Sequence, residues 1–581
     1  MLRLLKPVLV LLGVLGGILL TSSALAGERP ELKDTSYPIP RGAVFVSTKG
    51  SDRNPGTRKR PLRSVGSAIP FTPEGGTIVI RGGTYRETLP DLAKRLTLQP
   101  YPHEKVWLKG SEIVEGWVRD GNAWRRNDWK PDFCRDCFHP GNIDPDFPNA
   151  GQPDQVFIDG EPLRQVAVRS ELSEGTFFVD HKRHRLYLGT SPSGKNVEAS
   201  VHGTALTIWQ NGHGSIIRGL GFAHYAPASN HGTAATLKVS ADQVRLENNT
   251  FAFSAAKGVE VFGRNVQVRG NTFLRNGWIG LAAWKADGLK VRHNRFARNN
   301  REMFMRTGPV SGAAGASITA TREPVVSDNL FDGNHSNGLW FDISVTKAIV
   351  SRNIMRNNLR HGLFYEISSH GVIASNIMSG NGLGGIALSD SAHMQVYNNT
   401  LYGNMLALIV QDGDRVNDNP AEIADGSTWI SADTSFHNNL LSGSPKSNYP
   451  YVWVRDFTGK QRADNMLTVS DSNAFYRQDP SQPSHLVEWW RGPKRALFAN
   501  LNQFRSATGR DRNSAAVEGT SIDPFFQDAV RGNFALKPRS AARLAGRTIP
   551  PDVAKAIGIS NRHSPNLGAL LLPGGRPVTP E

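Results

Sequence analysis

Cysteine is nearly absent. Only two occur in 581 residues, close together in Phe133-Cys134-Arg135-Asp136-Cys137-Phe138. In an oxidising compartment this C-x-x-C could close one small disulfide loop. A zinc site needs four ligands, and only His139 lies nearby, so no metal site is expected there. A disulfide-scaffolded domain is therefore excluded, and stability must come from the core and the backbone hydrogen bonds. Long apolar runs are also missing beyond Val8 to Leu20, which excludes a multi-pass membrane protein. That one run follows the basic Arg3 and Lys6 and precedes Ala24-Leu25-Ala26. It falls short of the ~20 residues that span a bilayer. Residues 1–26 thus have the three-part pattern of a signal peptide, with Gly27 first in the mature chain. A secreted or periplasmic location without a transmembrane anchor after cleavage is expected.

Acidic charge is outweighed: 67 Lys and Arg face 51 Asp and Glu, a net charge of +16, or +14 without Arg3 and Lys6. An exported basic chain is not expected to have nucleic acid as a partner. An anionic polysaccharide or an acidic envelope surface is the natural counterpart, and simple surface solubility is the alternative. Turn formers are plentiful, with 58 Gly and 35 Pro, which suits many short strands.

Those strands recur. Asparagine followed two residues later by an apolar residue appears at Asn249, Asn271, Asn294, Asn329, Asn353, Asn376, Asn399, Asn439 and Asn473, with gaps of 22, 23, 35, 24, 23, 23, 40 and 34. Five gaps fall at 22 to 24, and the longer three read as one coil plus a loop insertion. Such a period signals stacked repeats. Val266-Gln267-Val268, Leu289-Lys290-Val291 and Ala348-Ile349-Val350 are short β-rich runs before the asparagine, without helical periodicity. Each unit is predicted to form one turn of a parallel β-coil, its asparagines stacked in a ladder. The period is too short for a propeller blade, and no Leu-x-x-Leu-x-Leu pattern is present.

On these motifs, and on the opening Val46 to Asp52, Asn54-Pro55-Gly56-Thr57 and Gly76 to Glu87, the chain resembles the right-handed parallel β-helix proteins of the pectate-lyase-like superfamily. That implies an all-β solenoid with a short N-terminal capping helix near Leu62 to Ile69. The expected layout is a cap and first coil at 27–103, an inserted antiparallel β module at 104–202, the β-helix core at 203–475, and a C-terminal coil and tail at 476–581. Asp159-Gly160 between apolar runs and the His181 to His184 turn read as hairpins in the module. The insertion resembles those of certain secreted β-helix glycoside hydrolases. Leu486 to Phe504 is predicted helical. Asp523 to Phe526 with Asn533 to Leu536 resembles a terminal coil.

Two strings repeat inside the core, Asn337-Gly-Leu-Trp-Phe-Asp342 and His361-Gly-Leu-Phe-Tyr-Glu366, with their acids 24 residues apart. If one coil separates them, Asp342 and Glu366 stack about 4.8 Å apart at the backbone. Phe341, Ile343, Tyr365 and Ile367 take the inward positions, so the acids face outward. Counting 13 residues on from Asn271, Asn329, Asn353, Asn376 and Asn399 puts Trp284, Asp342, Glu366, Ser389 and Asp412 in one column, Asn294 being followed by a loop insertion. Trp284, Trp340 and Phe364 would form an exposed aromatic strip for sugar faces. Stacked like charges at ~5 Å repel by about 3 kcal/mol at an effective dielectric of 20, which keeps one carboxyl protonated while the other ionises. That is the division of roles in a glycosidase. The acids are alternatively solvated surface groups, or ligands for calcium, the one cofactor the pattern suggests.

The expectation is a polysaccharide-active glycosidase with Asp342, Glu366 and Asp412 as candidate catalytic acids. Trp284, Trp340, Phe364, Arg306 and His361 are the candidate substrate contacts, and a monomer is expected. A lyase or C5-epimerase on a uronate polymer, and a non-catalytic glycan-binding surface protein, are the alternatives. A lyase needs a cation and a proton acceptor, and no Lys or Arg falls in the central column apart from Lys285.

Overall fold

The computed structural model describes residues 28–228, 234–304, 312–443, 449–559 and 565–569. The segment 1–26, read above as a signal peptide, lies outside the described residues.

The repeat folds as read. One coil shows why. Ile349–Ser351 forms a strand, Arg352 turns the chain with φ +55°, and Ile354–Arg356 forms the next strand. Asn357 turns again with φ +55°, and Leu363–Glu366 completes the circuit. Val350, Met355, Leu363 and Tyr365 point inward and are fully buried. Stacking these coils builds three long sheets of 13, 12 and 13 strands, parallel in the core, in which each strand pairs with its equivalent one coil away. The fold is a right-handed parallel β-helix.

Inside it the ladder is continuous. From Asn249 to Asn473 each side-chain Nδ2 donates to the Oδ1 of the next asparagine at 2.9–3.2 Å. The series ends on Asp511, whose Oδ1 accepts from Asn473 at 3.0 Å. A second ladder, which the sequence reading passed over, runs five residues further on through Asn276, Asn299, Asn334, Asn358, Asn381 and Asn404 at 2.8–3.0 Å. Between the two, Phe222, Phe251, Phe273, Phe296 and Phe331 stack face to face, 4.7–5.3 Å between ring centroids. Short side-chain stacks thus hold two corners and the apolar interior in one register.

The helix Val65–Phe71 lies against the first strands and buries Val65, Ala68 and Ile69 in the core. Ser64 caps it, and the Glu87 carboxylate accepts the Val65 and Gly66 N–H groups at 2.9 Å each, satisfying donors that a helix start leaves free. Strands paired antiparallel, save Arg164–Gln165 beside Thr176–Phe177, occupy the stretch from Ser111 to Ser200 in two small sheets. They include the Val156–Ile158/Glu161–Pro162 and Thr176–Asp180/Arg185–Leu188 hairpins. Cys134 and Cys137 are disulfide-bonded, and the adjoining Phe138 packs on Trp278 and Phe304 of the β-helix.

Two C-terminal expectations are corrected. Leu486 to Phe504 is mainly an antiparallel hairpin, Val487–Arg491 with Lys494–Phe498, and the helix begins only at Leu501, capped by Asn500. Gly492 supplies the turn with φ +60°, and alternation of buried Trp489 with outward Trp490 has the period of a strand. Phe526–Asp528 and Asn533–Leu536 pair antiparallel around the Gly532 turn rather than forming a coil.

The Asn353 amide donates to Asn376 and Val326 and accepts twice from Asn329. Asn353→Leu therefore strands several buried partners at roughly 1–3 kcal/mol each. Thermal unfolding should show a clear drop in Tm; an unchanged midpoint would count against the ladder.

Candidate functional site

Asp342 and Glu366 each end a strand of the 12-stranded sheet, directly after the paired Phe341 and Tyr365. With those two rings inside, both acids face outward. The chain then bends through left-handed residues, Ile343 (φ +51°), Ser344 (φ +58°) and Ile367 (φ +38°). The same corner is made by Lys285, Ala320 and Asp390 in other coils. A β-branched residue at this corner is strained, and here one directly follows each acid. Ile343 and Ile367 were both expected inside; Ile367 is buried at 1 % exposed, while the corner leaves Ile343 half-buried.

Glu366 is 5 % exposed. Its Oε2 accepts from the Trp340 indole Nε1 at 3.1 Å, and its Oε1 pairs with the Arg415 Nη1 at 3.1 Å. Asp342 is less covered, and its Oδ1 accepts from the Ile343 N–H at 2.9 Å. Burial first, then the Glu366 charge, pushes Asp342 up to about 7 against the pull of Arg415. Burial also raises Glu366, while Arg415 and the Trp340 N–H favour its ionised form. The two acids thus have unequal partners: Arg415 and the Trp340 indole act directly on Glu366, while Asp342 accepts from the Ile343 N–H.

Arg415 comes from the insertion in the 40-residue gap. This loop is pinned at the same corner. Ser344 Oγ donates to the Glu422 carboxylate, the Trp429 indole donates to Ser344 Oγ at 2.9 Å, and Arg322 pairs with Asp425. Arg360 adds a second, largely enclosed cation whose charge acts on Glu366. Neither arginine was read from the sequence. Arg360 stands just before the repeated string and was visible there; for Arg415 the only signal was the length of the gap.

The other candidates fall variously. Trp284 is 41 % exposed and lies in the Asp342 column through Thr319. Trp340 and Phe364 pair across coils but are only 7 % and 8 % exposed, covered in a cluster with Leu406, Ile409, Tyr449 and Trp453. The open aromatic strip is thus reduced to Trp284, because apolar residues of later coils pack over the other two. His361 is buried and stacks on Phe364 at 5.2 Å; burial, then Arg360, lowers it to about 3, so the imidazole is neutral.

Asp412 leaves the column. Ser389 pairs with Gln411, because the turn from Asn404 to Leu406 is one residue shorter than that from Asn381 to Gly384. Asp412 instead pairs with Asp456, accepts the Ser431 N–H at 2.5 Å, and is raised to about 7 by burial, Asp390 and Asp456. Arg306 lies outside the described residues. Among the described residues, no group of three or more His, Cys, Asp or Glu is placed to hold a metal. Calcium seeks six to eight oxygens, and at Glu366 an arginine already stands against one of the carboxylate oxygens. Nor, among these residues, is any helix long and apolar enough to cross a membrane.

The family model for the right handed beta helix region matches residues 211–309, 240–401 and 308–441. The solved complex of XylC with xylose superimposes with a TM-score of 0.57 at 16 % identity, over 83 % of this chain and 86 % of that one. The pectate lyase Pel9A gives 0.39 at 13 % identity over 92 % and 97 %. The mannuronan C-5 epimerase AlgE4 A-module of Azotobacter vinelandii gives 0.41 at 13 % over 82 % and 98 %. The uncharacterized protein YwoF of Bacillus subtilis is 36 % identical over 77 residues, 12 % of this chain and 16 % of that one. The match thus spans less than a fifth of that relative's length. The chain has the right-handed parallel β-helix fold, and its central coils match the family model for that region.

A half-buried Asp342 raised from about 4 to about 7 favours the fold below pH 4, and that contribution disappears as pH rises through 7. Asp342→Asn cannot ionise. Its Tm relative to the parent should therefore increase by a few degrees between pH 4 and pH 8. A difference independent of pH would contradict the raised carboxyl.

Proposed function

We propose that the chain is an exported, monomeric glycoside hydrolase acting on a polysaccharide through Asp342 and Glu366. The observation that carries this reading is a stacked carboxyl pair with opposite support: Asp342 raised to about 7, Glu366 held by Arg415 and an indole N–H. A β-helix known as a complex with xylose shares the fold; the case for a sugar substrate rests on the acids and on the exposed Trp284.

In this scheme protonated Asp342 gives its proton to the glycosidic oxygen as that bond to the anomeric carbon breaks. Glu366 attacks the anomeric carbon and forms a glycosyl ester. Asp342, now a carboxylate, takes a proton from water, whose oxygen displaces Glu366 and returns both acids to their first state. Strands one coil apart stand about 4.8 Å from each other, near the ~5 Å carboxyl separation of retaining enzymes. The product first formed should keep the substrate's anomeric configuration, as followed by NMR. An inverted product would remove Glu366 as nucleophile.

A second reading has one observation in its favour. Arg415 and Arg360 place two cations by Glu366, where the carboxylate of a uronate could be neutralised for a lyase or C5-epimerase. Release from a polysaccharide panel separates the two: new reducing ends without ultraviolet absorbance mark hydrolysis, and an unsaturated uronide marks elimination. Glu366→Gln and Asp342→Asn should each lower hydrolysis by roughly 10²–10⁴-fold.

The Trp340 N–H helps keep Glu366 ionised. Trp340→Phe keeps the ring but removes that donor. The acidic limb of the pH–rate profile should move to higher pH while the basic limb, set by Asp342, stays near 7. A profile that does not move would show that the indole only packs.

A further inference from the structure

The column that carries the acids continues beyond them. Glu366 pairs with Ser389, Ser389 with Gln411, and Gln411 with Arg455. Arg455 therefore lies three strand steps from Glu366, about 14 Å at the spacing of paired strands. Val454 beside it is fully buried in the core, so Arg455 projects from the outer face that also bears the acids.

Its surroundings are unusual for an arginine. The guanidinium sits between two aromatic rings, 4.2 Å from the Phe457 centroid and 4.4 Å from that of Trp490. Its Nε is buried without a hydrogen-bond partner. Among the described residues, no ion pair or hydrogen bond is made by the Arg455 side chain. The nearby Glu488 is otherwise engaged: it pairs with Arg495 at 2.7 Å and accepts from Trp453 at 2.8 Å and Trp490 at 2.7 Å. Stacking fixes the plane of the guanidinium while leaving its N–H edge unused. A planar, oriented edge of this type matches a carboxylate with two parallel hydrogen bonds, and the fixed plane reduces the entropy lost when a ligand binds.

We propose that Arg455 is an anion subsite that takes the carboxylate of a sugar residue distant from the cleaved bond, and that the substrate is an acidic, uronate-containing polysaccharide. This rests on the carbohydrate-active reading of Asp342 and Glu366 for the path of the chain. A polymer lying along the column would meet Trp284 on one side of the acids and Arg455 on the other. The excess of Lys and Arg over Asp and Glu in the whole chain favours the same charge of ligand.

The test reads binding apart from turnover. Calorimetry on the Glu366→Gln variant would compare hexagalacturonate, hexamannuronate and neutral xylohexaose, with and without Arg455→Gln. The expected result is binding of at least one acidic hexamer, weakened tenfold or more by Arg455→Gln, with xylohexaose affected little. Arg455→Lys keeps the charge without the fork and should give an intermediate loss at an unchanged Tm, which covers the case of a poorly folded Arg455→Gln. Equal affinity for the acidic hexamers with and without Arg455, no acidic binding, or preference for xylohexaose overturns the proposal. A lack of hydrolysis by the parent enzyme, with Arg455-dependent acidic binding intact, would instead reject the hydrolase reading and leave the subsite standing.

Discussion

Everything in this molecule depends on the register of one coil upon the next. Parallel strands satisfy each other's backbone groups only if equivalent residues align, and the two asparagine ladders enforce that alignment at two corners. Each ladder amide donates and accepts along the axis, so a coil that slipped by one residue would leave buried polar groups without partners. The interior Phe stack adds an apolar reason for the same register. Variation is then confined to corners, where the chain can leave and return without disturbing either ladder.

The acid pair follows from that constraint. Side chains on equivalent residues of consecutive coils have to stand side by side, and here they are two carboxylates. Repulsion between them would be resolved by solvent if the face were open. It is not: Trp340 and Phe364 are covered, and Glu366 is nearly enclosed. Charge is balanced instead by Arg415, delivered by a loop that leaves at a corner. Because Arg415 and the Trp340 indole both bond to Glu366 and not to Asp342, the symmetry of the repeat is broken at the acid pair. The two isoleucines in left-handed conformation just after the acids add local strain, a cost that the surrounding stacked coils are rigid enough to hold.

The outer face is shaped by material that departs from the repeat. The antiparallel strands between Ser111 and Ser200, with the disulfide loop, bring Phe138 onto Trp278 and Phe304. The insertion after Asp412 closes around Ser344. The C-terminal hairpin supplies Trp490 to the stack on Arg455. A regular solenoid gives an even surface; these three departures make it uneven.

The sequence alone determined the coil, because its period of 22 to 24 residues, its ladder asparagines and its turn residues are local and repeated. It also brought Asp342 and Glu366 together, since two matching strings one period apart can lie nowhere else. It failed wherever a single residue or a long-range contact decided the outcome. A turn one residue shorter moved Asp412 out of the column, and counting from the asparagines is blind to such a change. Trp340 and Phe364 were read as open because their outward direction was right, but what covers them comes from coils further along. Arg415 was invisible because an insertion has no period, so only folding shows where its tip returns. Periodic hydrogen bonding can be read along the chain; side-chain cover and charge partners arise between segments distant in it, and only the tertiary structure decides them.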